Sequence, residues 1–327
     1  MTIWLAGGGT GGHLYPLVAL AEMLAEEGQT LRLVGLADRI DRQLLAASSL
    51  PVVYQKLSRP GRSLQRLLLF AGQLIMTLVG WLIRLRQGDR VVSSGGYGSL
   101  PILLAATLKR LPVTLYEPNA VDGKTVRILA RIATPQIVRP LLDQTPPLIR
   151  RALFPGAVDG RARLLVLGGS QGSRSLNHLL LEIWEKILDS GRFAGIDWIT
   201  GDTGFAEVSE ATAKHKSVQV RPFCSTMQNL YQNATGAIAR AGAGSVLELA
   251  LWRIPAVYVP LPWAADDHQR RNAGQAQQRG WGIVCEESAG AAPLLSAIGE
   301  IGQRGWVAAP GYSWEISRQF WLDKVAA

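Results

Sequence analysis

The sequence predicts an α/β fold made of two similar domains, each with a parallel sheet covered by helices. The chain has 327 residues, which is longer than one hydrophobic core usually supports. Apolar strand-like runs alternate with helical patterns, as is typical of βαβ units and parallel sheets. Two glycine-rich turns, within 7–12 and 168–172, each follow an apolar run and precede a helical pattern. The cycle of strand, turn and helix therefore starts twice.

The first half opens with an apolar run, and its glycine turn leads into a helical pattern. Each later strand candidate is a short apolar run bounded by turn residues or by another helical pattern. The expected strands are Ile3–Ala6, Leu31–Gly35, Val91–Ser94 and Val113–Tyr116, and the expected helices lie near Tyr15–Glu27, Pro101–Lys109 and Thr125–Ala133.

The second half repeats this order after a Pro- and Arg-rich stretch at 145–163, which marks the domain boundary. We place the domains at 1–148 and 149–327. Ligands of such a pair are expected in the cleft between the domains, at the carboxyl ends of the strands. The expected strands are Leu164–Leu167, Trp198–Thr200, Ala237–Ala239 and Ala256–Pro260, with a terminal helix within Tyr312–Val325.

The charge balance is basic and uneven. The net charge is +9, and residues 1–150 carry 17 Lys and Arg against 9 Asp and Glu. Such an excess indicates an anionic partner, which is a nucleic acid, a phospholipid surface or a phosphorylated substrate. The densest basic cluster, opposed only by Asp89, comprises Lys56, Arg59, Arg62, Arg66, Arg84, Arg86 and Arg90.

The cysteines and the N-terminus indicate a cytoplasmic protein. Cys224 and Cys285 have neither metal nor disulfide spacing, so we expect two inert thiols in a reducing compartment. Strand-like sequence begins at Thr2 without a preceding basic segment or cleavage site, and no export signal is expected.

The glycine turns are suited to binding phosphate or developing negative charge. A helix that follows such a turn presents backbone N–H groups at its positive end, and glycine allows a ligand to approach closely. Gly7, Gly9 and Gly12 also satisfy the G-x-G-x-x-G pattern of nicotinamide and flavin oxidoreductases. That class requires a carboxylate at the end of the second strand to bind the ribose hydroxyl. Residues 34–36 at this place contain no carboxylate, and Asp38 lies beyond the end of the expected strand. The other alternative is that the glycines serve only to form tight turns. The presence of the same motif in both halves of the chain disfavours it.

Four ordered blocks of sequence resemble the MurG family of peptidoglycan glycosyltransferases. The blocks are GGTGGHLYPLVALAEML at 8–24, the segment 93–133 with SSGGYGSLP and YEPN, LGGSQGSRSLN at 167–177, and the segment 240–273 with RAGAGSVLELAL and DDHQRRNA. The resemblance implies the GT-B fold, two Rossmann-like domains around a central cleft. It also implies inverting transfer of N-acetylglucosamine from UDP-N-acetylglucosamine to the muramyl 4-hydroxyl of lipid I, which yields lipid II.

His13 is the leading candidate for the base. It follows the first glycine turn at the start of a helix, and imidazole is suited to take a proton from a sugar hydroxyl near neutral pH. A helix-terminal histidine bonded to backbone is the alternative. The resemblance implies that Thr10, Gly11 and Gly12 line the donor sugar or its pyrophosphate.

Three further positions are carried over from the resemblance in the N-terminal half and the linking stretch. YEPN matches the family's HEQN only at Glu117 and Asn119. Asn119 is expected to contact the donor sugar, and Glu117 is either catalytic or a solvated strand-end carboxylate. Arg150, in the loosely matching TPPLIRR, is a candidate for holding the diphosphate.

The resemblance implies a donor-binding set in the C-terminal half. Ser170 and Gln171 are expected at the diphosphate, and the backbone of Cys224 at the uracil. Glu248 is expected to accept hydrogen bonds from the ribose diol, with a surface-helix glutamate as the alternative.

The donor sugar and the leaving group complete the expected site. The resemblance implies that His268 and Gln269 contact the donor sugar. No two aspartates stand two positions apart, so no D-x-D metal site, no metal and no other cofactor are expected. The charge of the leaving group would then fall on helix N-termini and backbone N–H groups.

The apolar segment Leu67–Ile83 has 17 residues without a charge and admits three interpretations. It spans a membrane, it is a buried core helix, or it lies on the bilayer surface. Arginines on both sides give no sidedness, and the α/β pattern needs a crossover helix here. Gln73, Thr77, Gly80 and Arg84 share one helical face and leave a broad apolar face opposite. We favour docking on anionic headgroups at the cytoplasmic face of the plasma (inner) membrane, with no nucleic-acid partner.

The shortened region 134–163 leaves the acceptor open. A divergent GT-B transferase with another lipid-linked or soluble acceptor, or a non-catalytic UDP-sugar-binding protein, are the alternatives to the lipid I enzyme.

Overall fold

The computed structural model describes residues 1–8, 11–25, 27–46, 48, 50–61, 63–155, 163–169, 172–301 and 310–326. They form two compact units. The first contains Met1–Pro118, Asp122–Arg151 and Trp314–Ala327, and the second contains Asn119–Val121 and Ala152–Ser313.

The first unit is a six-stranded parallel sheet with helices around it. Its strands are β1 (Ile3–Ala6), β2 (Leu31–Leu36), β3 (Val52–Gln55), β4 (Arg90–Ser93), β5 (Val113–Tyr116) and β6 (Gln136–Val138). Its connecting helices are α1 (Gly11–Ala25), α2 (Arg39–Leu45), α3 (Leu64–Arg84), α4 (Leu100–Leu108), α5 (Lys124–Ile132) and α6 (Pro140–Asp143). The strand order is β3-β2-β1-β4-β5-β6, and every pairing is parallel.

The centre of this sheet is apolar along its whole length. All four residues of β1 are buried, because helices cover both faces of a parallel sheet and no side of the strand meets water. The strand order reverses between β1 and β4, and the loops that leave the carboxyl ends of these two strands diverge to opposite faces. This is the position in a doubly wound sheet where a ligand crevice forms.

The second unit repeats the topology. Its strands are β7 (Arg163–Leu167), β8 (Gly195–Ile199), β9 (Val218–Arg221), β10 (Ala234–Ala239), β11 (Ala256–Tyr258) and β12 (Gly282–Val284). Its helices are α7 (Arg174–Leu181), α8 (Trp184–Asp189), α9 (Asp202–Thr212), α10 (Met227–Asn233), α11 (Ala243–Leu251), α12 (His268–Gln278) and α13 (Ala291–Glu300). The order β12-β11-β10-β7-β8-β9 places the reversal between β7 and β10. The predicted pair of Rossmann-like domains is confirmed.

The terminal helix α14 (Trp314–Ala326) belongs to the first unit, whereas the sequence boundary of 149–327 assigns it to the second. The indole of Trp321 is fully buried and donates to the carbonyl of Pro146 at 3.1 Å. Its ring meets that of Tyr116 edge-on with centroids 5.6 Å apart. These contacts correct the expected boundary. Local sequence gives no sign that the chain returns to the first unit after passing through the second.

Candidate active site

His13 lies where the strand order of the first sheet reverses. Helix α1 starts directly after the glycine turn that follows β1, and His13 is its third residue. The ring nitrogen Nδ1 is 2.8 Å from the carbonyl oxygen of Ser94, which follows β4. A carbonyl only accepts, so Nδ1 carries the proton and Nε2 is the basic nitrogen. The Ser94 hydroxyl in turn donates to the backbone carbonyl of His13.

The backbone around Gly96 holds the imidazole against the loop after β4. Gly96 has φ of +82°, which favours glycine, and a Cβ there would come within 2.6 Å of the Gly8 carbonyl oxygen. The same Cβ would lie 3.1 Å from Cδ2 of His13. The glycines of SSGGYGS therefore let the loop approach the ring and fix its position.

Glu117 is buried and tied to its own loop. Its Oε2 accepts the N–H of Gly123 at 2.7 Å, at the start of α5. This contact holds the turn that carries the YEPN segment. A catalytic role for Glu117 stays a prediction.

Asn119 belongs to the second unit, where a side chain missed by the sequence interpretation holds it. Asn272 on α12 is fully buried, and its amide nitrogen donates to Asn119 Oδ1 and to the Ala241 carbonyl, both at 3.1 Å. Its own Oδ1 accepts the N–H of Ala120 at 2.8 Å. Asn272 thereby joins Asn119 and Ala120 to the loop after β10. The only sequence signal is an asparagine inside DDHQRRN.

Three of the predicted site residues, Thr10, Ser170 and Gln171, lie outside the described residues. Gly11 and Gly12 form the first turn of α1 beside His13, as the position of the glycine turn predicts.

Arg240 organises the reversal point of the second sheet. It follows β10 directly, is buried, and donates to the hydroxyls of Ser173 and Ser175 at 2.6 and 2.8 Å. It also donates to the Val259 carbonyl at 3.1 Å and pairs with Glu287. The Arg240 guanidinium thus connects the segments that follow β7, β10 and β11, and pairs with the Glu287 carboxylate. None of these partners is a neighbour of Arg240 in sequence.

Glu248 lies on α11, which starts at this same reversal point. Its Oε2 accepts the hydroxyl of Tyr231 on α10 at 2.5 Å. Burial raises the pKa of the Glu248 carboxyl, and the hydrogen bond from Tyr231 opposes that rise. The carboxylate is therefore partnered inside the unit, which disfavours the alternative of a surface-helix glutamate.

The segment before α12 has an unusual backbone. Asp266 and Asp267 both have φ of +53°, a left-handed conformation that non-glycine residues rarely adopt. They lead directly into His268, the first residue of α12. The next residue, Gln269, accepts the N–H of Leu261 with Oε1 at 3.0 Å, which orients its amide toward the loop after β11.

Two further predicted positions are Cys224 and Arg150. Cys224 follows β9 and is partly exposed, with its sulfur 3.7 Å from the Thr226 hydroxyl. Arg150 belongs to the first unit and pairs with Glu22 on α1 at 2.7 Å. Its assignment to the diphosphate stays a prediction. Among the residues with described positions, no cluster of three or more His, Cys, Asp or Glu could hold a metal ion.

Helix α3 exposes most of its large apolar side chains, while two polar side chains on it bond to the preceding loop. Gln73 accepts the N–H of Ser58 at 2.6 Å, and Thr77 donates to the Lys56 carbonyl at 3.5 Å. The exposed large apolar side chains on it, from 47% for Leu67 to 81% for Ile83, are Leu64, Leu67, Leu68, Leu69, Ile75, Met76, Val79 and Ile83. We call these eight residues the α3 apolar face.

The buried-core interpretation of this segment is wrong, since only 6% of its apolar window is buried. Its length and composition would suffice to cross a membrane. One side is nevertheless covered by protein, because Trp81 packs edge-on against Trp4 with centroids 5.1 Å apart and donates to Gln55 at 2.7 Å. The helix is the crossover between β3 and β4, and only its outer side is exposed.

The surroundings of the α3 apolar face are basic. Lys56, Arg66 and Arg84 are exposed, and Arg62 of the expected cluster lies outside the described residues. Asp89 does not neutralise them, since it is buried and accepts the N–H groups of Thr2 and Arg86 at 2.8 and 3.0 Å. Burial alone would raise the pKa of Asp89, but these bonds and one from an indole hold it below its usual value.

Family models match both units. The model of the glycosyltransferase family 28 N-terminal domain matches residues 3–137, and that of the family 28 C-terminal domain matches residues 163–303. Among solved structures, Acinetobacter baumannii MurG has a TM-score of 0.77 at 24% identity, covering 99% of each chain. The UDP-GlcNAc 2-epimerase of Neisseria meningitidis, bound to UDP-GlcNAc, has a TM-score of 0.65 at 11% identity over the full length of each chain. These two likenesses concern the fold, which is GT-B.

Curated relatives share sequence over most of the chain. A protein of Parasynechococcus marenigrum (strain WH8102) is 35% identical over 89% of this chain and 85% of its own length. One of Solibacter usitatus (strain Ellin6076) is 31% identical over 96% and 88%. Both are named UDP-N-acetylglucosamine–N-acetylmuramyl-(pentapeptide) pyrophosphoryl-undecaprenol N-acetylglucosamine transferase. The chain therefore belongs to glycosyltransferase family 28 and, within it, to the MurG family of N-acetylglucosamine transferases.

Proposed function

We propose that this chain transfers N-acetylglucosamine from UDP-N-acetylglucosamine to the 4-hydroxyl of the muramyl sugar of lipid I, forming lipid II for peptidoglycan. The activity in the names of its curated relatives supports this proposal. The observation that carries it is the His13 imidazole, whose Nδ1 is committed to the Ser94 carbonyl so that Nε2 is left basic.

In the proposed reaction, His13 Nε2 takes the proton of the 4-hydroxyl. The oxygen attacks C1 of the donor sugar from the face opposite UDP, and the bond from C1 to the diphosphate oxygen breaks with its electron pair on UDP. Inversion at C1 follows from this single displacement. Negative charge develops on the diphosphate as the bond breaks. It is stabilised by backbone N–H groups at the starts of α7 and α11, the helices that follow the neighbouring strands β7 and β10.

We assign the donor to the second unit. The Glu248 carboxylate accepts from the ribose diol, the backbone at Cys224 contacts uracil, and Ser170 and Gln171 meet the diphosphate. His268, Gln269 and Asn119 contact the sugar. Asn272 and Arg240 support this assignment, since they hold Asn119 and the loops of the reversal point in fixed positions.

We assign the membrane contact to helix α3, since a lipid-linked acceptor is presented at a bilayer surface. The α3 apolar face would enter the headgroup region of the plasma membrane from the cytoplasmic side, with Lys56, Arg66 and Arg84 on anionic headgroups. The chain then works as a peripheral membrane enzyme.

The experiment that tests the function measures UDP release from UDP-N-acetylglucosamine with and without a short-chain lipid I analogue, corrected for hydrolysis. Release that requires the analogue is expected. Release only with another acceptor would favour a divergent transferase, and tight UDP binding without release would favour a non-catalytic binding protein. A His13→Ala variant serves as the control for contaminating activity.

A further inference from the structure

Tyr231 is a buried side chain that the proposed mechanism does not use. It lies on α10 and is 1% exposed, and its hydroxyl donates to Glu248 Oε2 at 2.5 Å. Hydrogen bonds of this kind, from an O–H to a carboxylate, are among the strongest in proteins. The bond joins two helices that flank β10.

The ring of Tyr231 has little freedom to move. It packs against Trp252, with ring centroids 5.7 Å apart and planes 31° apart. Trp252 is itself held, because its indole N–H donates to the Leu153 carbonyl at 2.8 Å. Trp252 stands four residues after Glu248, so both side chains lie on one face of the helical turn. The hydroxyl of Tyr231 is therefore a fixed point against which the carboxylate is set.

The second oxygen of the carboxylate points the other way. Glu248 Oε1 is 3.9 Å from the place where Gly244 would carry a Cβ, and Gly244 is exposed in the first turn of α11. With Oε2 bonded to Tyr231, Oε1 is directed to the open side of that turn. One carboxylate oxygen is thus bonded within the protein, and the other faces the exposed first turn of α11.

We propose that Tyr231 is a positioning residue that fixes the Glu248 carboxylate to accept from the ribose hydroxyls of the donor nucleotide. This inference rests on the proposed function, since it assumes that Glu248 binds the donor. It adds that recognition of ribose depends on a phenol buried beneath the site as well as on the carboxylate.

The hydroxyl of Tyr231 also controls when the carboxylate is ionised. Burial raises the pKa of Tyr231 well above its ordinary value, and Glu248, Tyr258 and Cys224 add to this, so that it remains a donor. Its hydrogen bond lowers the pKa of Glu248 against the effect of burial. Removing the hydroxyl therefore raises the pKa of Glu248, and the ionised acceptor is lost at a higher pH as the solution is acidified.

The test compares the binding of UDP and 2′,3′-dideoxy-UDP to the full chain across the pH range where it stays folded. The variants are Tyr231→Phe, Glu248→Gln and Tyr258→Phe. Tyr258 is the matched control, because its buried hydroxyl has no hydrogen-bond partner within the described part of the chain. Thermal unfolding of each variant checks that the second unit remains folded.

The wild type and Tyr258→Phe are expected to prefer UDP, and Glu248→Gln is expected to lose that preference. Tyr231→Phe is expected to reduce it by roughly three- to tenfold, with the remaining preference lost at a higher pH than in the wild type. If Glu248→Gln loses the preference while Tyr231→Phe keeps the wild-type ratio and pH profile, the positioning role is overturned and the nucleotide site stands. If Glu248→Gln leaves the preference unchanged, both the site and the positioning role fall.

Discussion

At the scale of single residues, His13 shows how a neighbouring backbone group determines chemistry. Imidazole has two nitrogens, and either can carry the proton. The Ser94 carbonyl removes the ambiguity, because it accepts from Nδ1 at 2.8 Å and leaves the lone pair on Nε2. A histidine bonded to backbone was the structural alternative in the sequence, yet the observed bond is also what a base requires. The two interpretations are compatible.

Replacing His13 by asparagine is therefore expected to affect chemistry more than binding. The amide can keep a bond to the Ser94 carbonyl but cannot take a proton, so kcat should fall by roughly 10²- to 10⁴-fold. The Kd for UDP should change by less than about threefold, because the donor is assigned to the second unit. Steady-state kinetics and a UDP titration measure the two quantities. Equal losses in kcat and in UDP affinity would contradict the assignment of His13 as the base.

Gly95 and Gly96 offer a matched pair for testing how the ring is held. Both have φ near +80°, at +83° and +82°, so alanine at either position carries similar backbone strain of about 1 kcal/mol or more. A Cβ at Gly95 lies 3.8 Å from His13, whereas one at Gly96 meets the Gly8 carbonyl at 2.6 Å. Gly96→Ala is expected to lower Tm further than Gly95→Ala and to reduce kcat in addition. Differential scanning fluorimetry and initial rates measure this, and equal behaviour of the two variants would refute it.

At the scale of elements, the sequence predicts the middle of each sheet and misses its edges. Each expected strand overlaps an observed one, and Ile3–Ala6 and Val113–Tyr116 agree at both ends. The four strands without a sequence prediction, β3, β6, β9 and β12, are the edge strands of the two sheets. Central strands are buried on both faces and read as continuous apolar runs. Edge strands are covered on fewer sides and carry more polar residues. Strand β9, for example, is VQVR and has one buried residue.

The candidate site likewise contains residues that the sequence predicts and residues that it does not. The sequence predicts roles for the glycine turns, His13 and Glu248, because family motifs contain them in order, and these roles stay predictions. Arg240, Asn272 and Tyr231 were missed, since their importance lies in partners that are distant in sequence. Arg240 reaches Ser173, 67 residues away, and Asn272 reaches Asn119, 153 residues away. No local pattern distinguishes such side chains from ordinary polar residues, because only the folded chain brings the partners together.

The proposed membrane contact depends on the side of helix α3 that faces outward. Replacing Leu68, Met76 and Ile83 together by serine removes three side chains exposed by 64–81%. Each would contribute about 1.5 kcal/mol or more if fully buried in lipid, so even with only partial insertion, binding to phosphatidylglycerol-containing vesicles should fall by at least about tenfold. Vesicle sedimentation measures this, and the rate on a detergent-soluble acceptor should be kept.

The control for the vesicle measurement is the double substitution Ile132→Ser and Ile316→Ser, on α5 and α14. Both side chains are exposed by more than half but lie outside the α3 apolar face. Sedimentation of this control should match the wild type. Docking by α3 would be refuted if the serine triple variant sediments like the wild type, or if the control loses as much binding.

At the scale of the whole molecule, the chain does not divide at one point. It leaves the first unit after Arg151 and returns to it at Trp314, so the first unit is completed only by the last residues of the chain. A boundary drawn from the sequence places everything after the linker in one domain, because local composition carries no record of a return. The order of the motifs was sufficient to predict two sheets, but not which of them the terminal helix would stabilise.

The return of α14 predicts that damage at the end of the chain destabilises its beginning. Trp321 is fully buried against Tyr116 and Pro146, and Trp321→Ala should cost about 3–5 kcal/mol of unfolding free energy. Hydrogen exchange should then accelerate in β1 and β5, more than 190 residues away in sequence, while β7 and β8 stay protected. Trp198→Ala provides the converse, since Trp198 is equally buried in β8 and donates to Asn177 at 3.0 Å. It should accelerate exchange in the second sheet and spare the first. If both variants loosened the two sheets alike, the units would unfold as one cooperative body, and the terminal helix would have no special tie to the first.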